Sequence, residues 1–247
     1  MKHVLFVFSL TVILFSCRKE NTPNPETLPN DYSNQSLGKS ARDLLSSDKY
    51  TTLNIQVQYM PGYELEAATI ANFTNYINSL CNKPGGISIT QSAIAANGHT
   101  LTVDSAAIIE RNNRTAYTGG NTIAVYILIT DGFEPSLSTL GFAYRNTSIC
   151  LFGKDIFANS GGVGQVSRVA LETSVLEHEF GHILGLVNLG TPMQVFHQDT
   201  AHNNHCSNSH CLMYYAIDTY GVLPGMVSVV PELDSSCRND LHANGGK

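Results

Sequence analysis

The chain has 247 residues, a net charge of −6 and no tryptophan. That length can bury one sizeable core, and an acidic balance without any basic run argues against a nucleic-acid-binding protein. The missing tryptophan counts against a carbohydrate-binding module, and no internal repeat is present.

At the amino terminus a short basic head, Met1-Lys2-His3, precedes an apolar run from Val4 to Phe15. The run is too short to span a bilayer stably. It ends in Leu14-Phe15-Ser16-Cys17, which resembles a bacterial lipoprotein signal with its L-x-x-C lipobox. The resemblance implies removal of residues 1–16, lipid on Cys17, and an exported chain anchored to a membrane, facing the periplasm or the cell surface. An ordinary secretory signal is the alternative, because its apolar core looks alike. From Arg18 onward, Pro23, Pro25 and Pro29 stand among Asn, Glu, Thr and Ser. Such a stretch buries too little apolar surface to offset its chain entropy. Residues 17–48 therefore read as a lipidated flexible tether that ends in a short helix over Ser40 to Leu45. The folded domain is expected over 49–247.

Within the domain, Leu53, Ile55, Val57 and Tyr59 alternate with polar residues, a strand with one buried face. Leu65, Phe73, Ile77 and Leu80 follow helical spacing, and Ile87 and Ile89 mark a second strand. Val103 to Arg111 is compatible with helix or strand. Ile123 to Ile129 is a continuous apolar run, the mark of a central strand covered on both faces. Leu140 to Phe152 reads as a strand pair or a bent edge strand. Pro231 is placed to start a last helix running through Leu241. The sum is an α+β fold: a mixed sheet packed by helices.

Residues 178–182 spell His178-Glu179-Phe-Gly-His182, followed by Gly185. Positions four apart on a helix lie one above the other on the same face, so His178 and His182 can grip one metal ion. Glu179, beside the first ligand, is placed to take a proton from water at the metal. The preceding residues from Gln165 read as helix. Val169, Leu176, Phe180, Ile183, Leu184 and Val187 form its apolar stripe, and Gly185 stands where a left-handed residue ends a helix. The alternative is a pair of histidines on a solvated helix face.

Downstream, His205-Cys206 is followed by Cys211 and Met213. At this point the chain resembles the metzincin metallopeptidases, whose signature is H-E-x-x-H-x-x-G-x-x-H with a later methionine turn. The archaemetzincins, in which the third His is followed by C-x4-C-x-M, share the order and spacing of His205, Cys206, Cys211 and Met213. The resemblance implies a zincin-like domain with an active-site helix. It implies zinc held by His178, His182 and His205, with Met213 as an apolar floor. It departs at position 188, where Asn188 stands in place of the third histidine and the segment 188–204 is inserted. Asn188, His197, Asp199 and His202 therefore remain rivals of His205 for the third ligand position. Tyr215 matches a tyrosine that in some metzincins reaches the metal or the developing oxyanion; an ordinary groove-lining tyrosine is the other reading. The resemblance also makes Gly141-Phe142-Ala143 the substrate-binding edge strand above the cleft, although an ordinary strand with a glycine bulge fits the residues equally. A thermolysin-like reading lacks its third ligand, since no Glu occurs between Glu179 and Glu232.

Five cysteines remain once Cys17 is set aside: Cys81, Cys150, Cys206, Cys211 and Cys237. Export favours a Cys206–Cys211 disulfide. In archaemetzincins the corresponding cysteines belong to a second, structural zinc site. Cys237 and His242 are candidates to complete one here, although the family's terminal C-x-x-C is absent.

The function so implied is a monomeric zinc endopeptidase acting on peptide or protein substrates, with Glu179 as general base. Two other classes stay open: a catalytically inactive peptidase-like binding lipoprotein, and a structural surface lipoprotein whose zinc is closed by a fourth protein ligand such as His197 or Asp199.

Overall fold

The computed structural model describes residues 28–133, 139–217 and 230–247. The lipobox, Cys17 and the first part of the expected tether lie outside them. Among the described residues no helix is long and apolar enough to cross a membrane.

Five strands form one sheet: β1 (Thr52–Tyr59), β2 (Gly86–Ala93), β3 (Thr122–Thr130), β4 (Gly141–Arg145) and β5 (Ser148–Phe152), in the order β2-β1-β3-β5-β4. All neighbours are parallel except β4, which runs antiparallel to β5 and forms the outer edge. The central position of β3 follows from its composition. Ile123, Val125, Ile127 and Ile129 face one apolar cluster, while Tyr126 and Leu128 face a second on the opposite side. A strand apolar at every position is stable only where both faces are covered. The Leu140–Phe152 region resolves into the β4–β5 hairpin, with a register shift between Ala143 and Arg145.

Six helices accompany the sheet among the described residues: α1 (Ala41–Leu45), α2 (Ala67–Leu80), α3 (Val103–Asn113), α4 (Gly153–Ala158), α5 (Arg168–Ile183) and α6 (Ser235–Ala243). The ambiguous stretch from Val103 is thus helical, and the Thr102 hydroxyl caps it by accepting from Ser105 N–H. Ser167 caps α5 in the same way. Helix α5 is buried on all sides from Ala170 to Ile183, not only along the expected stripe. It is clasped between the β4–β5 hairpin, α2 and the chain after the motif. Its buried Glu172 is satisfied by the Thr69 hydroxyl at 2.7 Å and the Arg168 guanidinium at 2.7 Å. Gly185, with φ of 76°, ends this helical segment, and a side chain there would meet Thr191 N at 2.6 Å.

The expectation of a flexible tether reaching residue 48 fails for residues 28–48. Leu28, Ser33, Leu44 and Leu45 are buried, a short 3-10 helix spans Asp31–Asn34, and α1 packs against the core. Two side chains distant in sequence help to hold this segment. The buried Lys83 ammonium donates to the carbonyls of Asp43 (2.8 Å), Ser46 and Tyr50 (2.7 Å). Asn146 donates to Tyr32 O at 2.8 Å and to Ser40 Oγ at 2.7 Å. A polar, proline-containing stretch packs here because partners distant in sequence satisfy its backbone, which its own composition does not reveal.

The edge hairpin is braced from behind by one buried charge. Glu110 of α3 accepts from Arg114 and Ser148 on one oxygen, and from Arg145 and Tyr144 on the other, all within 2.7–2.9 Å. Both oxygens are thereby saturated, and two arginines offset the desolvated carboxylate. Replacing Glu110 with Ala removes the counter-charge that both guanidinium groups share and should cost about 3–5 kcal/mol of folding stability. Urea denaturation checks this; a loss below about 1 kcal/mol would show that the network does not brace the hairpin.

Candidate metal centre

Helix α5 delivers two imidazoles from one turn, and the turn after the 188–204 segment delivers a third. Nitrogens of His178, His182 and His205 all lie within 4.8 Å of one another. The ring centroids are 4.8, 5.3 and 5.2 Å apart, so the three rings converge on one point. His178 Nδ1 donates to the Leu212 carbonyl at 2.7 Å, and His205 Nδ1 to the Asn203 carbonyl at 3.0 Å. With Nδ1 protonated, Nε2 of each ring keeps its lone pair for a metal, the usual arrangement around a ligating histidine. His182 Nδ1 is buried and has no hydrogen-bond partner among the described residues.

Burial sets the protonation states. It pushes His178 down to about 4, His182 well below the ordinary imidazole range, and the half-buried His205 down as well. Three neutral imidazoles at pH 7 are competent donors. The Glu179 carboxyl, one residue after the first histidine, is pushed up to about 8 by burial, against a hydrogen bond from Ala143 N–H that pulls the other way.

Below the triad lies Met213, fully buried. A side chain at Gly181, between the two helical histidines, would fall 2.3 Å from the Met213 sulfur. The thioether therefore fills the space that a glycine leaves open.

Above the triad a cleft of about 720 Å³ opens. Gly141, Phe142 and Ala143 line it on one side, and Leu37, Leu189 and Ile217 contribute apolar wall. Gly141 is needed for packing: a side chain there would approach Val175 Cγ1 at 3.1 Å and Glu179 Cγ at 3.2 Å. The edge strand thus closes directly onto α5 at the glutamate. Tyr215 also lines the cleft. Its ring stacks on His202 with centroids 3.5 Å apart and planes 6° apart, and His202 Nδ1 is held by Asp199 at 2.8 Å.

The rivals for the third position are placed elsewhere. Asn188 is exposed and does not line the cleft. Asp199 and His202 support Tyr215, and His197 belongs to another cluster. No fourth Asp, Glu, Cys or His joins the triad among the described residues, so one side faces the cleft. Three imidazoles with an open side are a donor set suited to a catalytic zinc.

The second cluster corrects the expected disulfide. All five described cysteines are free. Cys211 sulfur lies 3.7 Å from Cys237, not bonded to Cys206. His197 Nδ1 lies 3.9 Å from the Cys237 sulfur, and His197, Cys206, Asp234 and Cys237 have donor atoms within 4.8 Å of one another. His242, the expected completing residue, is exposed. Sequence reasoning missed His197 in this role because it lies in no recognisable metal-ligand spacing with the cysteines.

The arrangement defines a zincin-like fold: a mixed five-stranded sheet, an antiparallel edge strand above a cleft, and a buried helix carrying the paired histidines. Among solved structures, the crystal structure of archaemetzincin from Methanopyrus kandleri superposes with a TM-score of 0.50 over 78% of this chain and 96% of that chain. The sequences are 12% identical, so the likeness is one of fold. No protein-family model and no curated protein matches the chain.

Replacing His205 with Ala should remove the triad's metal, whereas Asn188→Ala should retain it. Metal analysis of the dialysed variants decides: loss with Asn188→Ala and retention with His205→Ala would transfer the third-ligand role.

Proposed function

We propose that the chain is a zinc-dependent endopeptidase. The observation that carries this reading is the convergence of His178, His182 and His205 at the floor of a cleft, with the Glu179 carboxyl beside them. A zinc ion held there supplies Lewis acidity, lowering the pKa of water and polarising a peptide carbonyl.

The chain's own residues supply the rest. Glu179 accepts a proton from the attacking water and later delivers it to the departing amine. Ala143 N–H fixes the carboxyl toward the edge strand. The outer side of β4 has no strand partner among the described residues and offers backbone groups to an extended peptide. Tyr215, which lines the cleft, would donate a hydrogen bond from its hydroxyl to negative charge developing on the carbonyl oxygen. No Lys or Arg lines the described cleft, and Glu179 is its one carboxylate. Neither a free carboxyl terminus nor a free amino terminus finds a counter-charge there, which favours cutting within a chain.

The same reading places the protein outside the cytoplasm, anchored by lipid on Cys17 and acting as a monomer on peptides or proteins. All five remaining cysteines are buried, which protects them as free thiols in an oxidising compartment.

Two outcomes are expected. Peptide hydrolysis should be abolished by a chelator and restored by zinc. Glu179→Gln should keep its zinc and lose at least about 100-fold in kcat; parental turnover in that variant would remove Glu179 from the mechanism. For the anchor, a lipid-analogue label should enter the parent and not Cys17→Ser, and equal labelling would contradict lipidation at that residue.

A further inference from the structure

The 188–204 segment ends in a narrow ribbon folded back on itself. Gln198 and Cys206 pair antiparallel, Ser207 N–H donates to His197 O at 2.9 Å, and Asp199 N–H donates to His205 O at 2.8 Å. The tip closes with His205 N–H on His202 O at 3.2 Å, and Asn204 takes a left-handed φ of 67°. The ribbon carries His205 to the triad and places Asp199 and His202 at its tip. Asp199 there holds the histidine. One carboxylate oxygen accepts from His202 Nδ1 at 2.8 Å and the other from Ala201 N–H at 2.8 Å. These bonds, the one from His202 foremost, keep the Asp199 carboxyl below the ordinary carboxylate range. A carboxylate on one ring nitrogen sets the tautomer of an imidazole and restrains its plane.

That plane is the one on which Tyr215 lies, with ring centroids 3.5 Å apart and planes 6° apart. Tyr215 needs such a support. It lines the cleft, yet it is 44% exposed, so core packing does not fix its side chain. Its backbone is anchored through the buried Met213, whose carbonyl accepts from Cys206 N–H at 2.7 Å. Besides His202, its ring contact among the described residues is Tyr214, tilted at 52° with centroids 4.6 Å apart. A half-exposed side chain samples several rotamers, and a hydroxyl that must meet developing charge loses effect when its ring wanders. Stacking engages the face of the phenol and leaves its oxygen free to hydrogen-bond. Neither Asp199 nor His202 lines the cleft, so both act through the tyrosine and not on substrate.

We propose that His202, held by Asp199, is a positioning residue for Tyr215: a flat seat that keeps the phenol ring in one orientation in the cleft and so places its hydroxyl for the substrate carbonyl. The 188–204 segment then serves the site twice, by bringing His205 to the triad and by supplying the seat. The catalytic use of the seat rests on the peptidase reading and on the role it gives Tyr215; the seat itself does not.

Two readouts test it, the first independent of activity. In NMR spectra of the full chain carrying isotope-labelled tyrosine, the Tyr215 ring resonances are those missing from Tyr215→Phe. The imidazole ring current should shift them upfield in the parent, and His202→Ala should return them to exposed-tyrosine positions. The second readout is steady-state kinetics. Tyr215→Phe should lower kcat by roughly 100-fold. His202→Ala should lower it by roughly 3- to 10-fold, the worth of one aromatic pair, with KM and zinc content at parental values. His202→Phe, which keeps a flat ring, should recover most of that loss. In the Tyr215→Phe background His202→Ala should cost nothing further, since no hydroxyl remains to be placed. Unchanged Tyr215 resonances in His202→Ala would overturn the seat; so, if that variant does not fold, would exposed-tyrosine resonances in the parent. An equal kcat loss from His202→Ala with and without the Tyr215 hydroxyl would overturn the positioning role. A parent that hydrolyses no peptide would instead overturn the peptidase reading, while the resonances still decide the seat.

Discussion

A metal site built from one helix and one returning segment depends on how the returning segment is held. His178 and His182 face the same point because they lie one helical turn apart. His205 has no such guarantee, since the chain leaves α5 at Gly185 and wanders through the 188–204 segment before coming back. The hydrogen bond from His178 Nδ1 to the Leu212 carbonyl joins the two parts, 2.7 Å long and buried. It fixes the tautomer of His178, and it ties α5 to the turn that carries His205.

Burial of α5 follows from the same need. A helix exposed on one side would leave the histidines in water and near their ordinary protonation range. Enclosed by the hairpin, α2 and the Met213 turn, the imidazoles are neutral at pH 7 and Glu179 is inclined to hold a proton. The enclosure is tight: a side chain at Gly141 would press on Glu179, and one at Gly181 would meet the Met213 sulfur. The Glu110 network then holds the hairpin in place from the opposite face of the sheet. Fold and site are linked through close packing at two glycines and one saturated buried charge.

Much of this was legible in the sequence, and the exceptions have physical causes. The alternation from Leu53 to Tyr59 and the unbroken apolar run of β3 report strand period and two-sided burial directly. The paired histidines, Glu179 and Met213 are readable because their chemistry demands fixed local spacing. The stretch from Leu28 to Leu45 misleads because its polarity suggests solvent, whereas Lys83 and Asn146, far along the chain, satisfy its backbone. The second cluster was hidden for a related reason: its members at 197, 206, 234 and 237 are assembled by tertiary structure, so no spacing rule connects them. A disulfide between Cys206 and Cys211 was the natural reading of export, but the Cys206 sulfur turns to Asp234 and the Cys211 sulfur to Cys237.

The most direct measurement is zinc-edge anomalous scattering from crystals of the zinc-loaded protein. One peak should lie about 2.1 Å from a nitrogen of each of His178, His182 and His205, with its remaining side open to the cleft beside Glu179. A peak ligated by Asn188 in place of His205, or one closed off by a fourth protein side chain, would contradict the catalytic centre described above.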